Sequence, residues 1–216
     1  KISAPEGAVD LCGTGGDGRG TLNISTISSF VGAGAGVPVA KHGNRAISSK
    51  CGSADVIAAL GIPFDLEPSA VETCLQRTGI GFMFAPKFHE SMKNVMDTRQ
   101  EIGIRTFFNI LGPMSNPAGV KHQLVGVFDH ALAPTIARVL RDLGTQRAMI
   151  VHGEGMDEVT NIGVTKVTDA GLTQLAGFRG HKRRPRIEPA RTERHHVLAR
   201  EARHPGGTPE PGVQRQ

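Results

Sequence analysis

Short apolar runs alternate with longer segments of helical periodicity through most of this 216-residue chain, and that alternation constrains its fold more than any other feature. Ala8 to Cys12, Val37 to Ala40, Ile80 to Phe84, His122 to Phe128 and Arg147 to Val151 read as strands. Asn23 to Ala33, Ser53 to Leu60, Pro68 to Arg77, Lys87 to Ile102 and Ala131 to Leu143 read as helices. A strand joined to the next through a helix favours parallel pairing, so the pattern predicts an α/β fold with a mainly parallel central sheet flanked by helices. Ile80 to Phe84 carries no polar side chain, which marks a strand covered on both faces.

Charge divides the chain. Ten of its 25 Lys and Arg but only four of its 20 Asp and Glu lie in residues 177–216, so the net charge of +5 belongs to that end and the rest is near neutral. The expected organisation is an α/β domain over residues 1–176 and a basic, Pro- and Arg-rich tail over 177–216. The tail has too few apolar residues to offset the entropy of ordering and is expected to be disordered. It could give weak, salt-sensitive attachment to nucleic acid. The absence of Trp and Tyr argues against a base-stacking platform in the domain itself.

No stretch approaches the roughly 20 apolar residues that span a bilayer, and Lys1 to Pro5 does not read as a signal peptide. Cys12, Cys51 and Cys74 form no CxxC pattern and are expected to be buried or half-buried thiols in a reducing cytosol.

Four segments carry possible chemistry. Gly13, Thr14, Gly15, Gly16, Asp17 and Gly18 follow a strand and precede a helix. Glycines there let backbone N–H groups approach an anion, but the spacing is neither that of the P-loop nor of the Rossmann fingerprint. A phosphate cradle and a plain tight turn both account for it. Asn23, Ile24, Ser25 and Thr26 have the composition of an ordinary helix cap, while their hydroxyls could also meet a phosphate or Mg²⁺. Lys41, His42, Gly43, Asn44 and Arg45, with Ser48 and Ser49, could be a solvated face. They also end a strand, where open α/β sheets bind ligands. Asp157 and Glu158 are adjacent acids in a Gly-rich loop, either an exposed turn or a Mg²⁺ site that bridges to substrate phosphates. His42, His89, His122 and His152 are scattered along the chain and read as structural. No residue stands out as a strong general base.

Taken in order, these segments resemble the anthranilate phosphoribosyltransferases. Asp97 to Gln100 and Arg105 to Pro113 add to the match, which covers roughly residues 7 to 168. The resemblance implies a nucleoside phosphorylase/phosphoribosyltransferase-type large domain. It implies a cytoplasmic, usually homodimeric enzyme of tryptophan biosynthesis that uses Mg²⁺. The reaction moves the phosphoribosyl group of 5-phosphoribosyl 1-diphosphate to the amine of anthranilate and releases diphosphate. Carried over by position, Gly13, Gly16, Asp17, Thr21, Asn23, Ile24, Ser25 and Thr26 would hold phosphoribosyl diphosphate. Lys41, His42, Gly43, Asn44, Arg45, Ala46, Ile47, Ser48, Ser49 and Ser53 would complete that cradle. Gly13, Asn44 and Arg99 would meet anthranilate, and Ser25, Asp157 and Glu158 would bind Mg²⁺.

The family's small helical region ahead of the glycine loop is not found in this chain, and the match fades near Asp169. A pyrimidine nucleoside phosphorylase-like enzyme is the nearest alternative, and Asp97 to Gln100 together with Asp157 and Glu158 weigh against it. A non-catalytic fragment binding nucleic acid through its tail is the more distant one.

Overall fold

In chain order the elements are β1 (Val9–Gly13), α1 (Ile24–Gly34), β2 (Val39–Gly43), α2 (Ser53–Ala59), α3 (Pro68–Thr78) and β3 (Ile80–Phe84). Then come α4 (Ala85–Phe88), α5 (Phe108–Met114), β4 (His122–Gly126), α6 (Ala133–Asp142), β5 (Arg147–Gly153) and β6 (Thr165–Gly171). They belong to a computed structural model that describes residues 1–46, 51–89, 101, 107–161 and 163–171. The expected tail lies outside the described residues, as does most of the helix expected over Lys87 to Ile102.

The local signals behave as the chemistry requires. Pro68 opens α3, where its missing N–H costs nothing, and Gly79 ends the helix in the left-handed region at φ 73°. On α3, Val71 and Leu75 are one turn apart and both buried; on α6, Ala133, Ile136, Ala137 and Leu140 form the buried stripe.

The sheet runs β3-β2-β1-β4-β5-β6, with the first five strands parallel and β6 antiparallel to β5. β2 is buried from Val39 to His42, so both of its faces are covered. One core cluster joins Val125, Val127 and Ile150 to α6 through Ile136 and Leu140. Another joins Ala40 and Met83 to α3 through Val71 and Leu75.

The mainly parallel sheet matches the expectation, and the structure adds β6, α5 and the one-turn α4, which ends at Phe88 where the expected helix was to continue. β6 (TKVTDAG) is polar and falls where the composition begins to shift toward the tail. α5 (FNILGPM) contains Gly112 and Pro113, which break helical patterns in a sequence. No helix among the described residues is long and apolar enough to cross a membrane.

The strand order sets the position of the site. From β1 the chain builds outward through β2 to β3, then returns to the other side of β1 for β4 and β5. The crevice outside the carboxyl ends of β1 and β4 is therefore the sheet's switch point, where open α/β sheets take their ligands.

Candidate active site at the switch point

Gly13 and Gly126 end β1 and β4 side by side in register. Both must be glycine because the loop carrying Asp157 lies across them. A methyl on Gly13 would come 2.7 Å from Asp157 Oδ2, and one on Gly126 would fall on the Asp157 carbonyl oxygen. The loop after β1 is stitched to this corner. Thr14 N–H donates to Gly126 O at 2.9 Å, Phe128 N–H donates to Thr14 Oγ1 at 3.1 Å, and Gly15 N–H donates to Asp157 Oδ2 at 2.7 Å. Gly15 and Gly16 have φ of 63° and 79°, which side-chain-bearing residues rarely adopt. The segment is thus a built corner facing an acid.

Three carboxylates gather here. Asp157 is buried, and both its burial and the neighbouring Asp17 push its carboxyl up. Glu158 is pushed up to about 7, chiefly by burial and then by Asp157, with Lys41 opposing. Asp17 Oδ2 is buried without a hydrogen-bond donor. An oxygen without a donor among mutually repelling acids is an arrangement that a cation would suit. Among the described residues no three His, Cys, Asp or Glu side chains form a metal cage of their own. Mg²⁺ does not need one, since it is commonly held by one or two carboxylates, waters and substrate phosphates. The donor set fits it.

The raised Glu158 has a consequence for stability. An unfolded Glu titrates near 4.5, so between there and about 7 the folded chain keeps a proton that the unfolded chain has released. Stability present below that window is lost as pH rises through it. Glu158→Gln is therefore expected to melt above the parent near pH 8, with the advantage shrinking toward about pH 4.5. A constant difference across a pH series of thermal melts would show that Glu158 does not carry this proton.

Lys41 and His42 form the floor and are no solvated face. Lys41 is 2% exposed, and its Nζ donates to Leu11 O at 2.6 Å and to Ser25 Oγ at 3.2 Å. Burial, then the neighbouring His89, pulls His42 down to about 4. Its Nε2 lies 3.1 Å from His89 Nε2, and its Nδ1 lies 3.3 Å from Gly112 O. The histidines that look scattered in sequence include this facing pair. Arg45 is more exposed; it pairs with Asp55 at 2.9 Å and lies over the Phe64 ring at 5.0 Å. Asp55 also accepts from the N–H groups of Ala46 and Gly52, which hold its carboxyl low and close the loop back on α2.

Asn23 stands at the N-cap of α1 but makes no capping bond with its side chain. Its amide donates instead to Gly52 O at 3.2 Å. Thr26 is buried and donates to Ser53 Oγ at 3.0 Å, tying α1 to α2. The capping composition at this point therefore serves to join two helices.

These groups surround a cavity of about 610 Å³. Gly13, Gly16, Asp17, Thr21, Asn23, Ser25, Lys41, His42, Gly43, Asn44, Arg45, Ala46, Ser53, Asp157 and Glu158 all line it. Ile24 and Thr26 do not line it, Thr26 being bonded instead to the lining residue Ser53. Ile47, Ser48, Ser49 and Arg99 lie outside the described residues. The opposite wall, from α5 and His89, was not assigned from sequence. Its residues Phe108, Asn109 and Leu111 fall in the Arg105 to Pro113 match but receive no role from it, and nothing in the chain pairs His89 with a residue 47 positions earlier. Cys51, expected to be buried or half-buried, is exposed at the rim, while Cys12 and Cys74 are half-buried as expected.

Comparison with known proteins agrees with this architecture. Residues 5–179 match the glycosyl transferase family, a/b domain. The anthranilate phosphoribosyltransferase of Azorhizobium caulinodans is 61% identical over 191 residues, covering 81% of this chain and 56% of that protein. That of Bradyrhizobium sp. (strain BTAi1) is 58% identical, covering 82% and 53%. The chain spans about half the length of the curated relatives it matches. Among solved structures, the enzyme from Thermus thermophilus superposes with a TM-score of 0.74 at 44% identity, covering 79% of this chain and 51% of that one. The Saccharomyces cerevisiae enzyme in complex with PRPP and Mg gives 0.72 at 36%, covering 78% and 48%. With the matched region running through all six strands, the chain belongs to the glycosyl transferase family and carries its α/β domain.

Proposed function

We propose that this chain is the phosphoribosyl-diphosphate-binding domain of an anthranilate phosphoribosyltransferase, working with Mg²⁺ in tryptophan biosynthesis. The observation that carries the reading is the meeting of a glycine corner, a buried Lys41 and the under-compensated acids Asp157 and Glu158 at one switch point. The likeness to enzymes of that name, among them the Saccharomyces cerevisiae enzyme solved with PRPP and Mg and, separately, with 4-fluoroanthranilate, supports it. The same reading makes the protein a cytoplasmic homodimer with no nucleic-acid partner.

In this reading the backbone of Gly13 to Asp17, the start of α1 and Lys41 to Ser53 hold the phosphoribosyl diphosphate. Ser25, Asp157 and Glu158 hold Mg²⁺, which when bound would neutralise charge on the diphosphate. Gly13, Asn44 and Arg99 receive anthranilate, Arg99 answering its carboxylate. The bond from C1 to the diphosphate oxygen breaks, the amine nitrogen bonds to C1, and the amine gives its extra proton to solvent. Lys41 sits at the floor as a fixed cation, suited to charge growing on the leaving group. An aromatic amine needs little help as a nucleophile, so positioning and electrostatics carry most of the work.

Thermal melts with phosphoribosyl diphosphate, with and without Mg²⁺, test this. Ligand at 100 times its dissociation constant is expected to add about 2.7 kcal/mol, mostly dependent on Mg²⁺. A cooperative melt that ignores phosphoribosyl diphosphate but shifts with phosphate and a pyrimidine nucleoside would replace the reading with the phosphorylase one. A melt that ignores both would leave it without support.

A further inference from the structure

β1 and β2 are neighbours in the sheet, yet their backbones pair at one position, Val9 with Val39. The β2–β3, β1–β4 and β4–β5 pairs each run in register over five positions. Toward the cavity, side chains replace the ladder. His42 N–H donates to Asp10 Oδ1 at 3.2 Å instead of to a β1 carbonyl, and Lys41 Nζ takes Leu11 O at 2.6 Å. The Asn116 amide donates to Asp10 Oδ2 at 2.8 Å and to Ala40 O at 3.0 Å, reaching both strands from the turn after α5. Asn116 is held in turn by Ala118 N–H, which donates to its Oδ1 at 2.8 Å.

The two strands are therefore wedged apart by a carboxylate, an amide and an ammonium. Asp10 is fully buried and does not line the cavity; Lys41 is nearly as buried and does. A buried ammonium needs a fixed countercharge, and a buried carboxylate needs donors on both oxygens. The donors on Asp10 are the His42 N–H and the Asn116 amide, which seat the carboxylate beside the strand that carries Lys41. Burial pulls Lys41 down and pushes Asp10 up, and each charge opposes that shift in the other without direct contact between them.

We infer that Asp10, clamped by Asn116, is a positioning residue that holds β1 and β2 apart and fixes the Lys41 ammonium at the floor of the anion cradle. It touches no substrate. It acts through Lys41 and through the backbone of His42, and Asn116 links the cradle to the wall built by α5. The inference rests on the proposed use of the cradle for phosphoribosyl diphosphate.

Calorimetric titration of the chain with Mg²⁺ and phosphoribosyl diphosphate, and separately with Mg²⁺ and inorganic diphosphate, tests it. Asp10→Asn keeps the shape and the acceptor for His42 N–H but removes the countercharge and sets two amide donors face to face. It is expected to weaken both ligands about tenfold while the chain still melts cooperatively. In a double-mutant cycle with Lys41→Met the effect of Asp10→Asn on affinity should vanish, because there is no ammonium left to position. Unchanged affinity in Asp10→Asn, or an equal loss in the Lys41→Met background, would overturn the inference and reduce Asp10 to a stability role. Should Asp10→Asn fail to fold, Asn116→Ser frees one carboxylate oxygen and keeps the charge; a loss of about threefold supports the inference and no loss overturns it. A parent chain that binds diphosphate but not phosphoribosyl diphosphate would sink the functional reading, while the diphosphate titrations still decide the role of Asp10.

Discussion

Exchanging Asp157 for Asn and Glu158 for Gln together is expected to abolish the Mg²⁺-dependent response to phosphoribosyl diphosphate while raising the melting temperature of the free chain above pH 7. The two effects have one cause. Both acids are pushed toward their neutral forms by burial and by a neighbouring carboxylate, so their ionised state costs stability that only a cation would return. The amide at 157 can still accept from Gly15 N–H, so the corner should hold. If the dissociation constant rises about 100-fold, ligand that stabilises the parent by about 2.7 kcal/mol would stabilise the variant by only about 0.4 kcal/mol. Paired melts with and without Mg²⁺ read both quantities. A retained Mg²⁺-dependent shift would remove the metal from these acids, and a lower melting temperature for the free variant would show that their repulsion is not stored in the fold.

Gly126→Ala is expected to be among the most damaging single methyl groups that can be added to this chain. The new carbon would fall on the Asp157 carbonyl, a backbone atom that no rotamer change can move aside. Either the acid loop lifts or β4 shifts, and overpacking of this kind costs about 3 kcal/mol or more. Urea unfolding measures the loss, and the Mg²⁺-dependent response should disappear with it. Gly34→Ala serves as the control. That glycine sits in the last turn of α1 with open space around it, and the substitution should stabilise by up to about 1 kcal/mol. Equal stability of Gly126→Ala and the parent would mean that the loop does not rest on β4.

Periodicity located β1 to β5 and most of the helices between them because each buries its own regular face, a property written locally. It shifted β2 toward Val37 and stopped β5 at Val151, since strand ends are set by neighbours and not by the strand itself. β6 escaped because an edge strand of polar, alternating residues looks like the start of a tail. At the site, Gly13 to Gly18 and the pair Asp157 and Glu158 were visible because each is a short contiguous signal. Their meaning was not: the glycine at 13 is explained by an acid 144 residues later. Asp10, Asn116 and His89 were invisible as site residues. Each acts only through a partner that the topology brings near, Asn116 reaching Asp10 across 106 positions and His89 reaching His42 across 47.

The bond from Gly15 N–H to Asp157 closes a span of 142 residues, and it has a kinetic meaning. During synthesis the glycine corner emerges early and the acids that complete it emerge late, after every strand up to β5 has left the ribosome. Nascent chains that stop before Asp157 can form βαβ pieces, but the corner that the proposed metal–phosphate site requires is still open in them. On the proposed function such a ligand would not trap a half-built sheet, and ligand protection in a pulse-labelling experiment would date the moment at which the Gly15 and Asp157 segments first meet.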